Sequence, residues 1–445
     1  MVLSDPVVDV YKSEPATTRL TVSIPVMLET TVVVIVLLFF AEALIGPLLT
    51  DESQPENSTV LRLMWLPIYG LILALGAWRF MSFLDVTIRM PIIILLLVLI
   101  VASGFWSIDQ GLTFRRAIAI GMTTAFGIFL GARYNWLELL VVLGVTWFVL
   151  AVGSIVVALG VPSLGVESET HVGAWKGLWF QKNTLGAHMS RASLLFAVLA
   201  IVQPGYRKFW VFAGVMAAVL VLLSTSKTSL LGMLLGSAIL GAGWLMRRGP
   251  ISGIATTWFV LVVGGLLAFL MVFEPGLLLG LIGRDATLTG RTDIWVILSE
   301  LVGERPLLGY GYGAFWGEDS APADYVKNIA QWDVPTAHNG WLETWLSIGL
   351  VGLVLFALNF LFTSVRAFAT AFSGWFGFYA IGFIAQFFLF SMSESIILQQ
   401  NSITWVSYVA VAAALLQYDR KPRRGQALPF RRNRDFILAD DTVVS

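Results

Sequence analysis

Long apolar runs separated by short polar connections constrain this chain more than any other feature of its sequence. About twelve windows are long and apolar enough to cross a bilayer as helices, since roughly 20 apolar residues span the hydrocarbon core. They lie at 26–49, 60–78, 90–106, 116–132, 136–160, 184–203, 209–224, 229–246, 253–273, 342–363, 373–391 and 401–417. With 57% hydrophobic and 13% charged residues, the sequence predicts one all-α polytopic membrane bundle rather than several soluble domains.

The positions of lysine and arginine predict which side each connection faces, because cytoplasmic loops are enriched in these residues. A cytoplasmic N-terminus places Arg133, Arg207 and Arg247 in cytoplasmic connections and the acidic loop 50–59 on the outer face. The polar start of the chain does not have the pattern of a cleaved signal peptide. The predicted order is a cytoplasmic segment 1–25, spans one to nine within 26–273, an outer loop 274–341, spans ten to twelve within 342–417, and a basic cytoplasmic tail 418–445.

The connection 274–341 differs from the others in length and composition. Structureless loops beyond roughly 15 residues are uncommon, and a content rich in Trp, Tyr, Leu and Gly is not typical of disorder. An amphipathic helix that lies on the membrane is predicted over 289–304, and its apolar face consists of Ile294, Leu298, Leu301 and Val302. The stretch GYGYG at 309–313 is interpreted as a flexible turn.

Cations on the outer face are informative because they run against the positive-inside rule. Lys227 lies at the tip of the short hairpin LLSTSKTSLLGM (222–233), between serines and threonines that are good helix caps. A helix N-terminus beside a lysine can bind an anion. A snorkelling lysine beside ordinary caps fits the same pattern, so both interpretations stay open from the residues alone.

Two further outer-face cations carry a similar ambiguity. Arg291 lies at the start of the predicted amphipathic helix, where a cation opposes the helix dipole and needs an anionic ligand or a carboxylate such as Asp293. Lys182 lies in the aromatic loop 169–191. There, an aromatic belt with phospholipid contacts competes with an anion site.

His338 is one of three histidines in the chain. It lies in VPTAHNGWLETW (334–345), where the long loop re-enters apolar sequence. A histidine at a membrane boundary is often a polar cap, yet a neutral imidazole is also well suited to take a proton near neutral pH. If the loop packs over the bundle, His338, Arg291 and Lys227 converge on one outer-face cavity.

Fixed cations, one base and apolar walls suit a lipid that carries a diphosphate, because preorganised cations stabilise charge that develops on the leaving group. A base that activates an acceptor hydroxyl contributes roughly 10²–10⁴-fold. The outer loops show neither an acidic pair of the DxD kind nor metal-ligand spacing, so no metal and no cofactor are predicted. The sequence contains no basic stripe interleaved with aromatic residues, so nucleic-acid binding is not predicted.

Four ordered segments carry a more specific pattern: LLSTSKTSLLG (222–232), LTGRTDIW (288–295), RPLLGYGYGAFW (305–316) and AHNGWLETWLSIGLVG (337–352). They resemble the signature regions of the bacterial O-antigen ligase and polymerase superfamily. WKGLWFQKNTLG (175–186) resembles the outer loop that precedes them in this family. The resemblance is strong over 175–355, and the sequences of the motifs are most similar to those of exopolysaccharide polymerases.

This resemblance implies a membrane-embedded, metal-independent and inverting glycosyltransferase with a large periplasmic loop between spans nine and ten. The implied donor is a glycan on undecaprenyl diphosphate, and the implied acceptor is a sugar hydroxyl at the periplasmic face of the bacterial inner membrane. Carried over by motif, His338 is the general base or orients the acceptor, Arg291 and Lys227 hold the diphosphate, and Lys182 is a further candidate for the same anion. Many members have arginine where this chain has Lys227, and lysine lacks the bidentate fork of arginine.

Three functions are compatible with the sequence. The favoured one is a polymerase that joins lipid-linked repeat units of an exopolysaccharide or O-antigen. The second is an O-antigen ligase that transfers the glycan to lipid A–core; only the acceptor separates it from the first. For either enzyme, membrane lipids are expected partners, and a chain-length regulator is a further candidate partner. The third is a transporter of the same lipid, but transporters typically show inverted repeats and mid-membrane charge, which only Glu42, Arg191 and Glu394 approach here.

Overall fold

The computed structural model is almost entirely helical over the residues that it describes. These are 24–43, 48, 59–168, 171–273, 291–371 and 374–417, with side chains described except at 24–25, 59–62, 261, 265–273 and 291–292. Within these ranges no β-strand forms, and one isolated bridge joins Val166 to Trp175. The prediction of an all-α protein is therefore confirmed.

The chain divides into the unit Val34–Asp419 and a second unit, Met1–Val33 with Arg420–Ser445, of which the structure describes only 24–33. The helices in the described ranges are α1 (Ile24–Phe40), α2 (Thr59–Trp78), α3 (Phe80–Ile88), α4 (Pro91–Ser103), α5 (Gln110–Arg133), α6 (Trp136–Gly160), α7 (Lys182–Val202), α8 (Arg207–Leu223), α9 (Lys227–Met246), α10 (Pro250–Phe273), α11 (Arg291–Glu304), α12 (Ala321–Ala330), α13 (Gly340–Ala371), α14 (Trp375–Ser391) and α15 (Ile403–Gln417). Each predicted apolar window overlaps one of these helices.

Several of these helices meet the length and composition of a membrane span. Among the described residues, five do so: Trp136–Gly160, Lys182–Val202, Pro204–Leu223, Lys227–Met246 and Gly340–Ala371. The pair α2 and α3, bent by 92°, makes a sixth if it forms one span. Shorter apolar helices coincide with other predicted windows. The chain is thus a membrane protein with five or six candidate spans, and the count of twelve and the position of the large loop stay predictions.

The helix α13 is broken near its start. Ile348 (φ −129°, ψ 17°) and Gly349 (φ 68°, ψ −173°) leave the helical conformation and separate 340–347 from the long part of the helix. A Cβ at Gly349 would overlap the carbonyl of Leu307. Glycine is therefore required here both by its positive φ and by the close approach. The apolar pattern of the predicted span 342–363 did not indicate this break.

Residues 306–313 of the long loop, named the strap here, fill the break in α13. Amides of the strap donate to carbonyls before the break, and amides after the break donate back to the strap, so backbone groups freed by the break are paired. The bonds are Tyr310 N–H to Leu346 O at 2.8 Å, Gly311 N–H to Ser347 O at 3.0 Å, Leu350 N–H to Pro306 O at 2.8 Å and Val351 N–H to Leu307 O at 3.2 Å.

The glycines of GYGYG allow the strap to pack closely. Gly309, Gly311 and Gly313 all have positive φ, at 68°, 102° and 69°. A Cβ at Gly311 would overlap Ser107, and one at Gly313 would overlap the Arg116 side chain. The interpretation of this stretch as a flexible turn is therefore wrong, because it is packed and hydrogen-bonded on both sides.

The predicted amphipathic helix is confirmed as α11, and its apolar face packs inside the long loop. The buried residues of this small core are Ile294, Leu298, Leu301, Val302, Tyr310, Phe315, Val326, Val334, Ala337 and Leu346. Because the apolar face of α11 is covered by protein, this face is buried without contact to lipid, and the expected position of the helix on the membrane stays a prediction. The core instead ties α11 to the segment that carries His338.

Candidate functional site

The residue before His338 is held by hydrogen bonds from two helices. The Ala337 amide donates to Glu343 Oε2 at 2.8 Å, and the Ala337 carbonyl accepts from Trp295 Nε1 at 2.8 Å. His338 has φ 47°, a left-handed conformation that costs free energy in a non-glycine residue and persists only where the surroundings hold it. The fold therefore fixes the position of this histidine.

The His338 ring lies beside an aromatic ring and a carboxylate. The Trp332 ring is nearly parallel to it, with centroids 6.2 Å apart. Nδ1 of His338 is buried, makes no hydrogen bond within the described residues, and lies 3.6 Å from Glu394 Oε2. The side chain is 15% exposed, so the ring is accessible from one side. A carboxylate facing Nδ1 favours a proton on that nitrogen, which leaves Nε2 as the acceptor.

Glu343 connects the segments around His338. Besides the Ala337 amide, its carboxylate accepts from Trp316 Nε1 at 2.9 Å and from Ser395 Oγ at 3.3 Å. These donors come from the loop after the strap, the segment before α13 and the segment after α14. Loss of the carboxylate would leave all three donors without this acceptor, which is costly in a buried setting.

Lys182 and Lys227 are brought together at the starts of two helices. Lys182 begins α7 and Lys227 begins α9. Lys182 Nζ donates to Thr225 Oγ1 at 3.2 Å, and Thr225 lies two residues before Lys227. Neither helix has an N-cap side chain bonded to its first-turn amides. Two helix N-termini with a lysine each form an electropositive setting that favours an anion.

Contacts through α14 connect this lysine pair to His338. Gly232, five residues after Lys227, packs against the Phe390 ring so closely that a Cβ there would lie 2.8 Å from it. The Glu394 amide donates to the Phe390 carbonyl at 2.8 Å, and the Glu394 carboxylate faces His338. A continuous set of contacts therefore runs from α9 to the histidine.

Arg291 begins α11, but its side chain lies outside the described residues. The helix itself reaches the site, because Trp295, one turn after Arg291, donates to the Ala337 carbonyl. The start of α11 and the backbone at His338 are therefore neighbours. A role for Arg291 in diphosphate binding stays a prediction.

A cavity of about 460 Å³ opens beside the segment that carries His338. Its wall includes the turn before His338, the first part of α13, the end of the strap and the connection from α14 to α15. The charged lining residues are Asp109, Arg115, Arg116, Glu318, Asp319, Lys327 and Glu343. Neither Glu343 nor the two arginines were predicted as site residues. In the sequence, only the position of Glu343, five residues after His338 in the same motif, indicated that it could belong to the site.

Among the described residues, no group of three or more His, Asp and Glu side chains is arranged to hold a metal ion. The independence from metals stays a prediction from the motifs.

Sequence comparisons bear on the region that contains α9 and His338. The sequence model of a family described as O-Antigen ligase matches residues 212–357. The exopolysaccharide production protein ExoQ of Rhizobium meliloti (strain 1021) is 32% identical over 198 residues, and the match covers 41% of this chain and 44% of that protein. The chain thus matches less than half of the length of this relative. The resemblance to the O-antigen ligase and polymerase superfamily is confirmed, and it includes an exopolysaccharide production protein.

Proposed function

We propose that the protein is an inverting glycosyltransferase that polymerises lipid-linked repeat units of an exopolysaccharide or O-antigen. Its donor is an oligosaccharide on undecaprenyl diphosphate, and its acceptor is a sugar hydroxyl at the periplasmic face of the bacterial inner membrane. The similarity to ExoQ supports polymer production, and the O-antigen ligase match supports glycan transfer. The distribution of lysine and arginine supports a cytoplasmic position for both termini.

The observation that carries this proposal is the pairing of His338 with Glu394 on a backbone that is held in place. Nε2 of His338 takes the proton of the acceptor hydroxyl while that oxygen attacks the anomeric carbon from the face opposite the diphosphate. The new glycosidic bond forms as the bond to the phosphate oxygen breaks, so the anomeric configuration inverts. The Glu394 carboxylate stabilises the imidazolium that forms.

The leaving undecaprenyl diphosphate takes the electron pair of the broken bond. Lys182 and Lys227, at the starts of α7 and α9, neutralise this charge, and Arg291 at the start of α11 adds a third cation. The scheme uses no metal and no cofactor. The positions of the two lysines support it, because Lys182 Nζ donates to the hydroxyl of Thr225, two residues before Lys227.

An assay with one defined substrate tests the proposal. Purified full-length protein in nanodiscs receives an undecaprenyl-diphosphate repeat unit alone, and the products are sized; the assay is then repeated with lipid A–core. Longer lipid-linked chains from the donor alone are the expected result. Product that forms only with lipid A–core would instead make the protein a ligase. Movement of the lipid across vesicles without any new glycosidic bond would make it a transporter.

The same assay tests the base. We expect His338→Ala to abolish chain growth while the protein still inserts and folds, because the variant lacks the imidazole that takes the proton of the acceptor hydroxyl in this scheme. His171→Ala is the matched control, since His171 is exposed and does not line the cavity. Near-normal chain growth by His338→Ala would refute the assignment.

A further inference from the structure

The cavity beside His338 is lined by groups that suit a saccharide. Asp319 and Gln399 are exposed in its wall, and within the described residues neither side chain has a hydrogen-bond or ion-pair partner. Trp316 lies in the same wall, with its indole N–H bound to Glu343. Sugar hydroxyls donate to carboxylate and amide oxygens, and the apolar faces of sugar rings pack on aromatic rings. The volume of about 460 Å³ lies within the range of ligand cavities.

The charges of the cavity do not suit a diphosphate. Four carboxylates and three cations line it, and all three cations already interact with other groups of the protein. Lys327 Nζ lies 2.7 Å from an oxygen of Asp333, and the Arg116 guanidinium donates to the Gly313 carbonyl. A diphosphate here would meet a wall with an excess of negative charge, unlike the setting of Lys182 and Lys227. The lining therefore favours an uncharged, hydroxyl-rich ligand.

The cavity ends at the backbone that positions His338. Thr336 lines the cavity, and its Oγ1 accepts from the His338 amide at 3.4 Å. Glu343 also lines the cavity while it holds the Ala337 amide. His338 itself is not part of the cavity wall, but a saccharide in the cavity contacts Thr336 and Glu343, which hold the backbone at and before the histidine.

We propose that this cavity is the acceptor subsite, which binds the saccharide whose hydroxyl His338 deprotonates. This inference rests on the proposed function of His338 as the base. It assigns Asp319 and Gln399 to binding of the acceptor and separates them from the lysine pair, which binds the diphosphate of the donor. The acceptor saccharide and the diphosphate of the donor thus bind in surroundings of different charge.

The test uses the repeat-unit oligosaccharide released from its lipid diphosphate as the probe. This molecule has no leaving group and can only accept. Its binding to full-length protein in nanodiscs is measured by saturation-transfer NMR. We expect the double variant Asp319→Asn, Gln399→Ala to lose about tenfold or more in affinity, since two hydrogen bonds are removed. Asp324→Asn, on the exposed face of α12 and outside the cavity, is the matched control and is expected to bind normally.

A second titration, with undecaprenyl diphosphate that carries no sugar, tests the diphosphate site at the lysines separately from the acceptor subsite. Lys227→Ala is expected to lose affinity for this lipid and to keep its affinity for the oligosaccharide. The double variant is expected to keep its affinity for the lipid and to lose affinity for the oligosaccharide. Oligosaccharide binding that is unchanged in the double variant would overturn the acceptor subsite. Diphosphate binding that is unchanged in Lys227→Ala would instead count against the proposed function.

Addition of the released oligosaccharide to the chain-growth assay distinguishes the acceptor from the glycan part of the donor. Incorporation of the oligosaccharide into water-soluble chains with a free reducing end is expected. Inhibition of chain growth without incorporation would place the probe where the donor glycan binds, and it would overturn the acceptor assignment.

Discussion

At the scale of single residues, the Glu394 carboxylate controls how His338 can act. It lies 3.6 Å from Nδ1, an atom that is buried and makes no hydrogen bond within the described residues. A proton on Nδ1 leaves Nε2 as the basic nitrogen, and a negative charge nearby stabilises the imidazolium after proton transfer. In the proposed mechanism, Glu394 is therefore a positioning residue that acts through the histidine.

We expect Glu394→Gln to lower the rate of chain growth by about tenfold or more, because the amide keeps the shape of the side chain but loses its charge. The pH dependence of the rate should also change, which a purely structural role would not cause. Glu300→Gln, at an exposed position of α11, serves as the control. Equal rates and equal pH profiles for Glu394→Gln and wild type would contradict this role.

Tyr310 links the strap to α11 through its hydroxyl, which donates to the Leu301 carbonyl at 2.8 Å and to Glu304 Oε2 at 3.0 Å. Burial, together with the hydrogen bond and the negative charge of Glu304, raises the pKa of Tyr310 to about 12 from an ordinary value of 10.0. Because the folded pKa exceeds the unfolded one, the folded state binds the proton more tightly. The resulting stabilisation is complete below pH 10 and is lost as the pH rises through about 12.

The stability difference between wild type and Tyr310→Phe should therefore be constant below pH 10 and should shrink between pH 10 and about 12. Chemical unfolding of both proteins over a pH series, followed by far-UV circular dichroism, measures this difference. A difference that stays constant through that interval would show that the hydroxyl is not held protonated by the fold.

The sequence yields candidate site residues where a chemically informative residue type lies at a polar–apolar boundary. His338, Lys182 and Lys227 are of this kind, and the fold brings Lys182 to Thr225, two residues before Lys227. Glu343 could not be identified in this way. Its role depends on donors from segments far apart in the chain, Trp316 and Ser395, and local sequence carries no information about such contacts.

At the scale of elements, helical periodicity identified the apolar face of α11 but not what covers it. Periodicity shows that one face is apolar, and a membrane or a protein core would satisfy it equally well. The break in α13 was missed for a related reason. The sequence around Ile348 and Gly349 is apolar apart from Ser347, and the close approach of the strap to Gly349 cannot be read from it.

We expect Gly349→Ala to destabilise the protein by at least about 1–3 kcal/mol, since the added Cβ meets both an unfavourable φ and the Leu307 carbonyl. Gly303→Ala is the matched control, because Gly303 lies in α11 with open space at its Cβ position. That control should be neutral or stabilising by up to about 1 kcal/mol. Thermal unfolding in detergent compares the two, and equal midpoints would show that the break does not require glycine.

At the scale of the whole molecule, the predicted orientation is testable because the chain contains no cysteine. Single cysteines can therefore be introduced without background labelling. We expect Asn328→Cys, exposed on α12 in the long loop, to react with a membrane-impermeant maleimide once the outer membrane is permeabilised. Arg207→Cys, exposed at the start of α8, should react only after the inner membrane is also opened. The opposite labelling pattern would reverse the predicted topology.

The strap has a consequence for exchanging parts between relatives. It donates two backbone hydrogen bonds to the chain before the break in α13 and accepts two from the chain after the break, so the long loop and the helix that follows it share one hydrogen-bonding pattern. A chimera that joins the loop of one protein to the helix of another at residue 341 would separate these partners. Graft boundaries placed before 305 and after 351 would transfer them together, and only such grafts should carry acceptor preference from one protein to another.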